Sequence, residues 1–332
     1  MSDLPEPSQT RGRPIQTVLG PVSYETLGIT DAHNHLWIEA IPGAVTGSPV
    51  LDQPGVILQE LMRYHQAGGS TILDCQPGRC GRNANQLAVF SQKSGVTVIA
   101  CTGFHRSIYY SPEEPFWSWP AEETAQYFID ELTCGLPETV SGPLLVRAGF
   151  IKIALEATLV ETPAAAFEGA AYAAAQTRAV IEIHTEKGAA ALEALAYFQE
   201  HSVQPGQMVL CHMDKRPDFG LHHELASAGV LLEYDTFYRP KYSPEQGVWP
   251  LIDRMVDAGQ DSCLALATDM AEPGLYASLG RGPGLAGLPG DICARLRQRG
   301  INDSMIRRLT GGNIARRLAG LNLSIASLEE PA

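Results

Sequence analysis

Six side chains in this chain are of types that bind divalent cations or modify to do so, and each lies in or at the end of an apolar run. They are His33 and His35 in GITDAHNH, Lys152 in FIKIAL, His184 in VIEIHT, His212 in MVLCHM and Asp269 in CLALATDM. Neutral imidazole and carboxylate are the usual ligands of zinc and manganese. Residues two apart on a strand project to one side, so His33 and His35 offer two imidazoles to one cation if that side faces inward. A His-x-His pair by itself is equally a solvated or core-satisfied pair. Lys152 is the sharper anomaly, because a lysine inside an apolar strand needs a partner, a lowered pKa or a covalent modification. Three readings stand for it: a stem carrying its amine to the rim, a Schiff-base nucleophile, or a lysine carbamylated by carbon dioxide, which is an anionic ligand able to bridge two metals.

Positioning such groups is the task of the runs that carry them. After a Pro-rich lead, eight short β-branched or apolar segments recur: 28–35, 71–76, 96–105, 150–155, 180–185, 208–213, 230–236 and 263–270. Amphipathic or Ala-rich stretches alternate with them, at 54–66, 84–94, 163–178, 189–199, 222–228 and 249–258. Strand–helix alternation implies parallel βαβ units, and eight of them close most simply as an α/β fold with a single (β/α)8 barrel, the TIM barrel. No GxGxxG follows the first segment; GRGPGLAGLPG comes after the eighth, out of place for a dinucleotide site. A long Pro-rich insertion, HRSIYYSPEEPFWSWP, follows the third strand and precedes a helix near 121–134. Asn302 and Asn313 read as N-caps of closing helices. The expected organisation is a lead (1–17), one barrel domain (18–320) and a C-terminal tail (321–332).

The six groups then stand at the C-terminal ends of strands one, four, five, six and eight, the face on which barrel enzymes build their sites. Asp74 and Asp235 end strands two and seven and read as substrate contacts or as carboxylates bonding loop amides. His65 suits a helix C-terminus, and His201, His222 and His223 read as solvated.

The 332 residues include 24 Lys and Arg against 37 Asp and Glu, a formal charge of −13, which argues against general nucleic-acid or anionic-membrane binding. No run is long and apolar enough for a membrane helix, and the first residues lack a secretory apolar segment, so a cytoplasmic location is expected. Seven cysteines, an odd number, imply thiols, with Cys75, Cys101, Cys211 and Cys263 packing as small hydrophobes.

TDAHNHL, FIKIAL, IEIHTEKG, LCHMDK, LATDM and TGGNIARRL together resemble the phosphotriesterase family of the amidohydrolase superfamily, from about 18 to 318. The resemblance implies a binuclear metal hydrolase. His33, His35 and Asp269 would bind the buried ion, His184 and His212 the more exposed one, and a carboxylated Lys152 would bridge both. It implies two divalent ions, zinc first, with manganese or cobalt as alternatives, and carbon dioxide as the carbamate. A metal-bridging hydroxide would be the nucleophile, and Asp269 the proton acceptor.

The wording TGFHRSIYY looks most like the branch that opens sugar and phosphosugar lactones, and the relay histidine of the triesterases is replaced by Thr236. His105, Arg239 and Lys241 would then contact a small-molecule lactone or ester. Arg79, Arg82, Arg106, Lys215, Arg216, Arg239, Lys241 and Arg281 fall after strand ends and could favour an anionic substrate, against Glu113, Glu114, Asp218, Glu245 and Glu272 in the same loops. Hydrolysis of a carboxylic ester or phosphotriester, and a barrel that binds without catalysis, are the competing readings. The aromatics of 116–119 read as exposed and permit a homodimer.

Overall fold

The computed structural model describes residues 12–321. Eight parallel strands form one sheet: β1 (Ile29–Asn34), β2 (Gly69–Asp74), β3 (Thr97–Phe104), β4 (Phe150–Ala154), β5 (Ile181–His184), β6 (Met208–Cys211), β7 (Leu231–Tyr234) and β8 (Leu264–Leu266). Each pairs in parallel with its sequence neighbour. Helices α1 (Pro54–Gln66), α2 (Ala84–Ser94), α3 (Ala121–Thr133), α4 (Ala164–Thr177), α5 (Ala191–Glu200), α6 (Phe219–Ser227), α7 (Val248–Asp257) and α8 (Cys293–Gln298) intervene or follow. The architecture is the expected (β/α)8 barrel.

Between β8 and β1 the seam is sewn by side chains and one backbone bond. Asp31 accepts from Thr268 N at 3.0 Å, Asn34 Nδ2 donates to Thr268 Oγ1 at 3.0 Å, and Asp269 N donates to His33 O at 3.0 Å. The same few residues therefore close the barrel and place two of the expected ligands.

Local chemistry accounts for the elements. Pro54 opens α1 at a position where its missing N–H is no loss. Asn83 caps α2 by accepting from Gln86 N, and Gly95 ends it in the left-handed region. The strands stop earlier than the apolar runs imply. β6 ends before His212 (φ 63°) and β8 before Asp269 (φ 47°), because left-handed backbone cannot continue a ladder.

One end of the lumen is apolar: Leu73, Ile99, Phe150, Val180, Val209 and Leu231 share a cluster there with Ile15. Ile15 belongs to a hairpin, Ile15–Thr17 paired with Gly20–Val22, that the Pro-rich wording hides; it docks through Val18 N to Val98 O at 2.9 Å. The first eleven residues of the expected lead, and the expected tail beyond Leu321, lie outside the described residues.

Several expectations are corrected. Asn302 is an N-cap, accepting from Met305 N, but Asn313 lies inside a helical run and spends its amide on the carbonyls of Asp261 and Leu264. The insertion after β3 is not an exposed aromatic surface. Phe116 is buried and stacks on Phe104 at 4.1 Å, and Trp117 and Trp119 pack against the same ring, so these side chains are spent internally. His222 is buried rather than solvated, with Nδ1 2.8 Å from Tyr234 Oη. Among the described residues no helix is long and apolar enough to cross a membrane, and all seven cysteines are free thiols.

Gly103 on β3 faces Lys152 on β4 in register, with φ 120°. A Cβ there would sit 1.8 Å from the Lys152 carbonyl oxygen, with only backbone to yield. Gly103→Ala is therefore expected to cost about 2–4 kcal/mol, combining strain with a backbone clash, in urea denaturation. An unchanged midpoint would show that β3 and β4 are not held this closely.

Candidate metal centre

The polar end of the lumen gathers the six residues from five strands. His33 and His35 rings lie 5.5 Å apart, His33 and His212 4.7 Å, and His184 and His212 4.6 Å. His35 Nε2 is 3.8 Å from Asp269 Oδ1, and Lys152 Nζ is 3.4 Å from His33 Nδ1. All but Asp269 are buried, and Asp269 is nearly so. Lys152 does not reach the rim: its side chain is fully covered within the lumen.

Each imidazole has an oxygen against one nitrogen. His35 Nδ1–H donates to Gln76 Oε1 at 2.7 Å, His212 Nδ1–H to Asp235 Oδ2 at 2.5 Å, and His184 Nε2–H to Glu186 Oε1 at 3.0 Å. For His33, Glu233 Oε1 lies 2.8 Å from Nδ1, but neither Glu233 oxygen completes a hydrogen bond, so this contact is close and poorly aligned. The opposite nitrogens are left to other partners, and His33 Nε2 is buried with none. Burial pushes the pKa of all four imidazoles down, that of His184 to about 4, which keeps them neutral and able to donate a lone pair. This is the arrangement in which outer acceptors orient metal-binding histidines.

Below the histidines lies acidity that the sequence reading missed. Glu182 and Glu233 are fully buried beside Lys152, with Glu182 Oε2 3.9 Å from Nζ. The period-two pattern contained the signal, since Glu182 precedes His184 by two and Glu233 precedes Asp235 by two, placing each pair on one face. The thiols expected as plain hydrophobes are drawn in too: Cys75 Sγ donates to Glu182 Oε2 at 2.9 Å, and Cys211 Sγ lies 3.2 Å from Lys152 Nζ. Burial opposes the lysine's charge, but Cys211, Cys75, Glu182 and Glu233 outweigh it and hold its pKa above the ordinary value. Burial pushes Glu182 and Glu233 up. One ammonium cannot balance two carboxylates, and Glu182 Oε1, both Glu233 oxygens and Asp235 Oδ1 remain unpartnered.

That surplus is the test of fit for cations. His33, His35 and Asp269 present ligand atoms within 4.8 Å of one another, as do His33, His212, Glu233 and Asp235. Buried acceptors without donors, grouped with imidazole nitrogens, suit divalent ions.

Above the centre opens a cavity of about 420 Å³. His35, His184, His212 and Asp269 lie toward its floor, and Ile38, Ile41, Val45 and Val50 from the loop after β1 form an apolar wall. His105 lines it, its Nδ1 accepting from Arg106 N at 2.7 Å. Arg239 lines it as well, but Nη2 donates to Asp269 Oδ2 at 2.9 Å and Nη1 to Glu272 at 3.3 Å. Lys241 is exposed at the mouth, over the Tyr242 ring.

Few of the cations expected at the mouth are free to attract an anion. Arg82 is buried against Glu131 and Glu138, away from the cavity; Arg79 pairs with Glu114 and Arg106 with Glu156 and Glu186. Lys215, Arg239 and Lys241 are the cations that line the cavity, facing Glu39, Glu186 and Glu272. Asp74 accepts from the amides of Leu36 and Gln76, the structural role, and Asp235 holds His212. Thr236 Oγ1 donates to Asp214 Oδ2 at 2.7 Å.

The surplus acid yields a pH-dependent expectation. Because the folded pKa of Glu233 is raised, its ionised form weighs against folding increasingly as pH rises above the ordinary carboxylate range. In metal-free protein, Glu233→Gln is expected to gain about 1–3 kcal/mol over wild type at pH 8 and close to nothing at pH 4 in urea denaturation. A wild-type advantage at pH 8 would refute the surplus.

Comparison with known proteins agrees with this geometry. A sequence profile of the phosphotriesterase family matches residues 13–317. A phospho-furanose lactonase of Mycoplasmopsis synoviae is 28% identical over 276 residues, covering 76% of this chain and 75% of the relative. Among solved structures, an amidohydrolase from Mycoplasma synoviae superposes with a TM-score of 0.84 at 26% identity, covering 93% of this chain and 92% of that one. A lactonase from Listeria monocytogenes has the same fold, with a TM-score of 0.84 at 22% identity over 92% of this chain and 98% of its own. With a family match over nearly its whole described length and a barrel rim built as above, this chain belongs to the phosphotriesterase family and is a hydrolase of ester bonds.

Proposed function

We propose that this protein is a binuclear metal-dependent lactonase acting on a sugar or phosphosugar lactone. The observation that carries this reading is the histidine quartet: each ring has one nitrogen against an oxygen, His33 and His35 present ligand atoms beside Asp269, and the His184 ring lies 4.6 Å from that of His212. His33, His35 and Asp269 would hold one ion, His184 and His212 the other, with Lys152 between them as a carbamate. Bound there, two divalent ions, zinc first, supply Lewis-acid polarisation of the scissile carbonyl and activation of water at neutral pH.

The chain's own groups do the rest. Asp269 sits between His35 and Arg239, pinned by its left-handed backbone and by its amide bond to His33 O. It is placed to take the proton of the attacking water and return it to the leaving alkoxide. Arg239 shields its outer oxygen, in a site where Thr236 is committed to Asp214 and offers no relay. His105 and Tyr109 form one flank of the cavity, their rings edge to face at 5.0 Å, and restrict the approach of a ring ester. Carbamylation of Lys152 would set a new anion beside Glu182 and Glu233, so on this reading carbon dioxide and the cations enter together.

Support for a lactone comes from the names of the relatives and from the cavity's size, which suits a monosaccharide better than a polymer. For a phosphate, Lys215 and Lys241 are the cations at hand, with Arg239 available once it leaves Asp269 and Glu272.

A pH-stat screen of aldonolactones, with and without a 5-phosphate, tests the reading on zinc-loaded protein. Acid release from lactones is expected, falling about 10²–10⁴-fold in kcat for Asp269→Asn. Lys152→Ala is expected to lose on the order of a hundredfold, about 2.7 kcal/mol, with partial rescue by short-chain carboxylic acids. Turnover confined to aryl esters would replace the lactone reading, and unchanged turnover by Lys152→Ala would remove the carbamate.

A further inference from the structure

We infer that Glu186 is a positioning residue for the more exposed metal, fixing through His184 which imidazole nitrogen faces the ion, and that Arg106 and Glu156 hold it in place. The inference rests on the proposed binuclear site. A carboxylate only accepts, so Glu186 Oε1 at 3.0 Å from Nε2 requires the hydrogen there and leaves Nδ1 as the lone-pair donor. Without such an acceptor a neutral ring exchanges between its two tautomers.

Its acceptor differs from those of the other three histidines. Gln76, Asp235 and Glu233 are buried, whereas the Glu186 side chain is 38% exposed and stands on the loop after β5. Left alone, such a carboxylate would exchange its bond to histidine for water. Arg106 prevents this. Its Nη1 donates to the same Glu186 Oε1 at 3.0 Å, while Nη2 and Nε donate to Glu156 Oε2 at 2.9 and 3.2 Å. Glu156 follows β4 and Arg106 follows β3, so three successive loops meet in one planar fork. The ligand atom on β5 is thus set from the cavity's outer edge, next to His105, whose ring is 5.2 Å from His184.

Metal binding is the direct readout, with zinc as probe and a chromophoric chelator as competitor against metal-free protein. Wild type is expected to bind two ions. Glu186→Leu is expected to keep one tight ion and bind the second about 10–100-fold more weakly. Glu186→Gln, whose amide oxygen still accepts, should stay within about threefold of wild type. Two ions held by Glu186→Leu as tightly as by wild type, or a Gln variant as weak as Leu, would overturn the inference. Long-range ¹⁵N–¹H spectra of metal-free, ¹⁵N-histidine-labelled protein give a readout that needs no loaded enzyme and, through Arg106→Leu, none of the Glu186 variants. His184 should be the Nε2–H tautomer in wild type and a mixture in Arg106→Leu; an Nδ1–H ring in wild type would contradict the account. A wild type that binds no zinc would instead defeat the binuclear reading, leaving the tautomer result to judge Glu186 by itself.

Discussion

A buried cluster of carboxyl groups with too few partners to satisfy them is the constraint from which the rest of this structure follows. Glu182, Glu233 and Asp235 lie at the polar end of the lumen with Lys152 as the ammonium among them, and several of their oxygens have no partner. An interior of protein alone would be expected to replace such groups or pair them, because an unpaired buried charge costs several kcal/mol. Four neutral imidazoles share that end of the lumen, and cations held among them would relieve the excess.

The barrel serves that arrangement at both ends. Apolar side chains and the hairpin seal one end of the lumen, so water cannot relieve the buried charge from that side. At the other end the ladders stop where the candidate ligands begin. His212 and Asp269 occupy left-handed backbone beyond β6 and β8, and the seam residues Asp31 and Thr268 hold β8 against β1. Stability and site geometry are therefore not separable here: the contact that closes the sheet is also the contact that sets Asp269 beside His35.

Much of this was legible in the sequence, and the exceptions have physical causes. Strand–helix alternation yielded the barrel, and strand-end placement yielded all six converging residues, because each depends on local pattern and period alone. Glu182 and Glu233 share the signature of Lys152, a charged residue inside an apolar strand, but no strand-end position or metal-ligand pattern marks them. Gln76 and Glu186 lie on loops, where no period reports direction. Arg82 was assigned to the mouth from its place after a strand, but its guanidinium turns into a buried pair with Glu131 that only the folded α3 could reveal. Asn313 had the residue type of a cap without the chain direction of one, and His222 was judged by polarity when Tyr234 was its partner. The hairpin at 15–22 escaped because two three-residue strands carry almost no pattern.

The most direct test of a lumen built for cations is anomalous diffraction at the zinc edge from crystals grown with zinc and bicarbonate. Two peaks are predicted, one among His33, His35 and Asp269 and one at His184 and His212, with added density on Lys152 Nζ. No peak at the rim, with Lys152 still an ammonium against Glu182, would contradict the account.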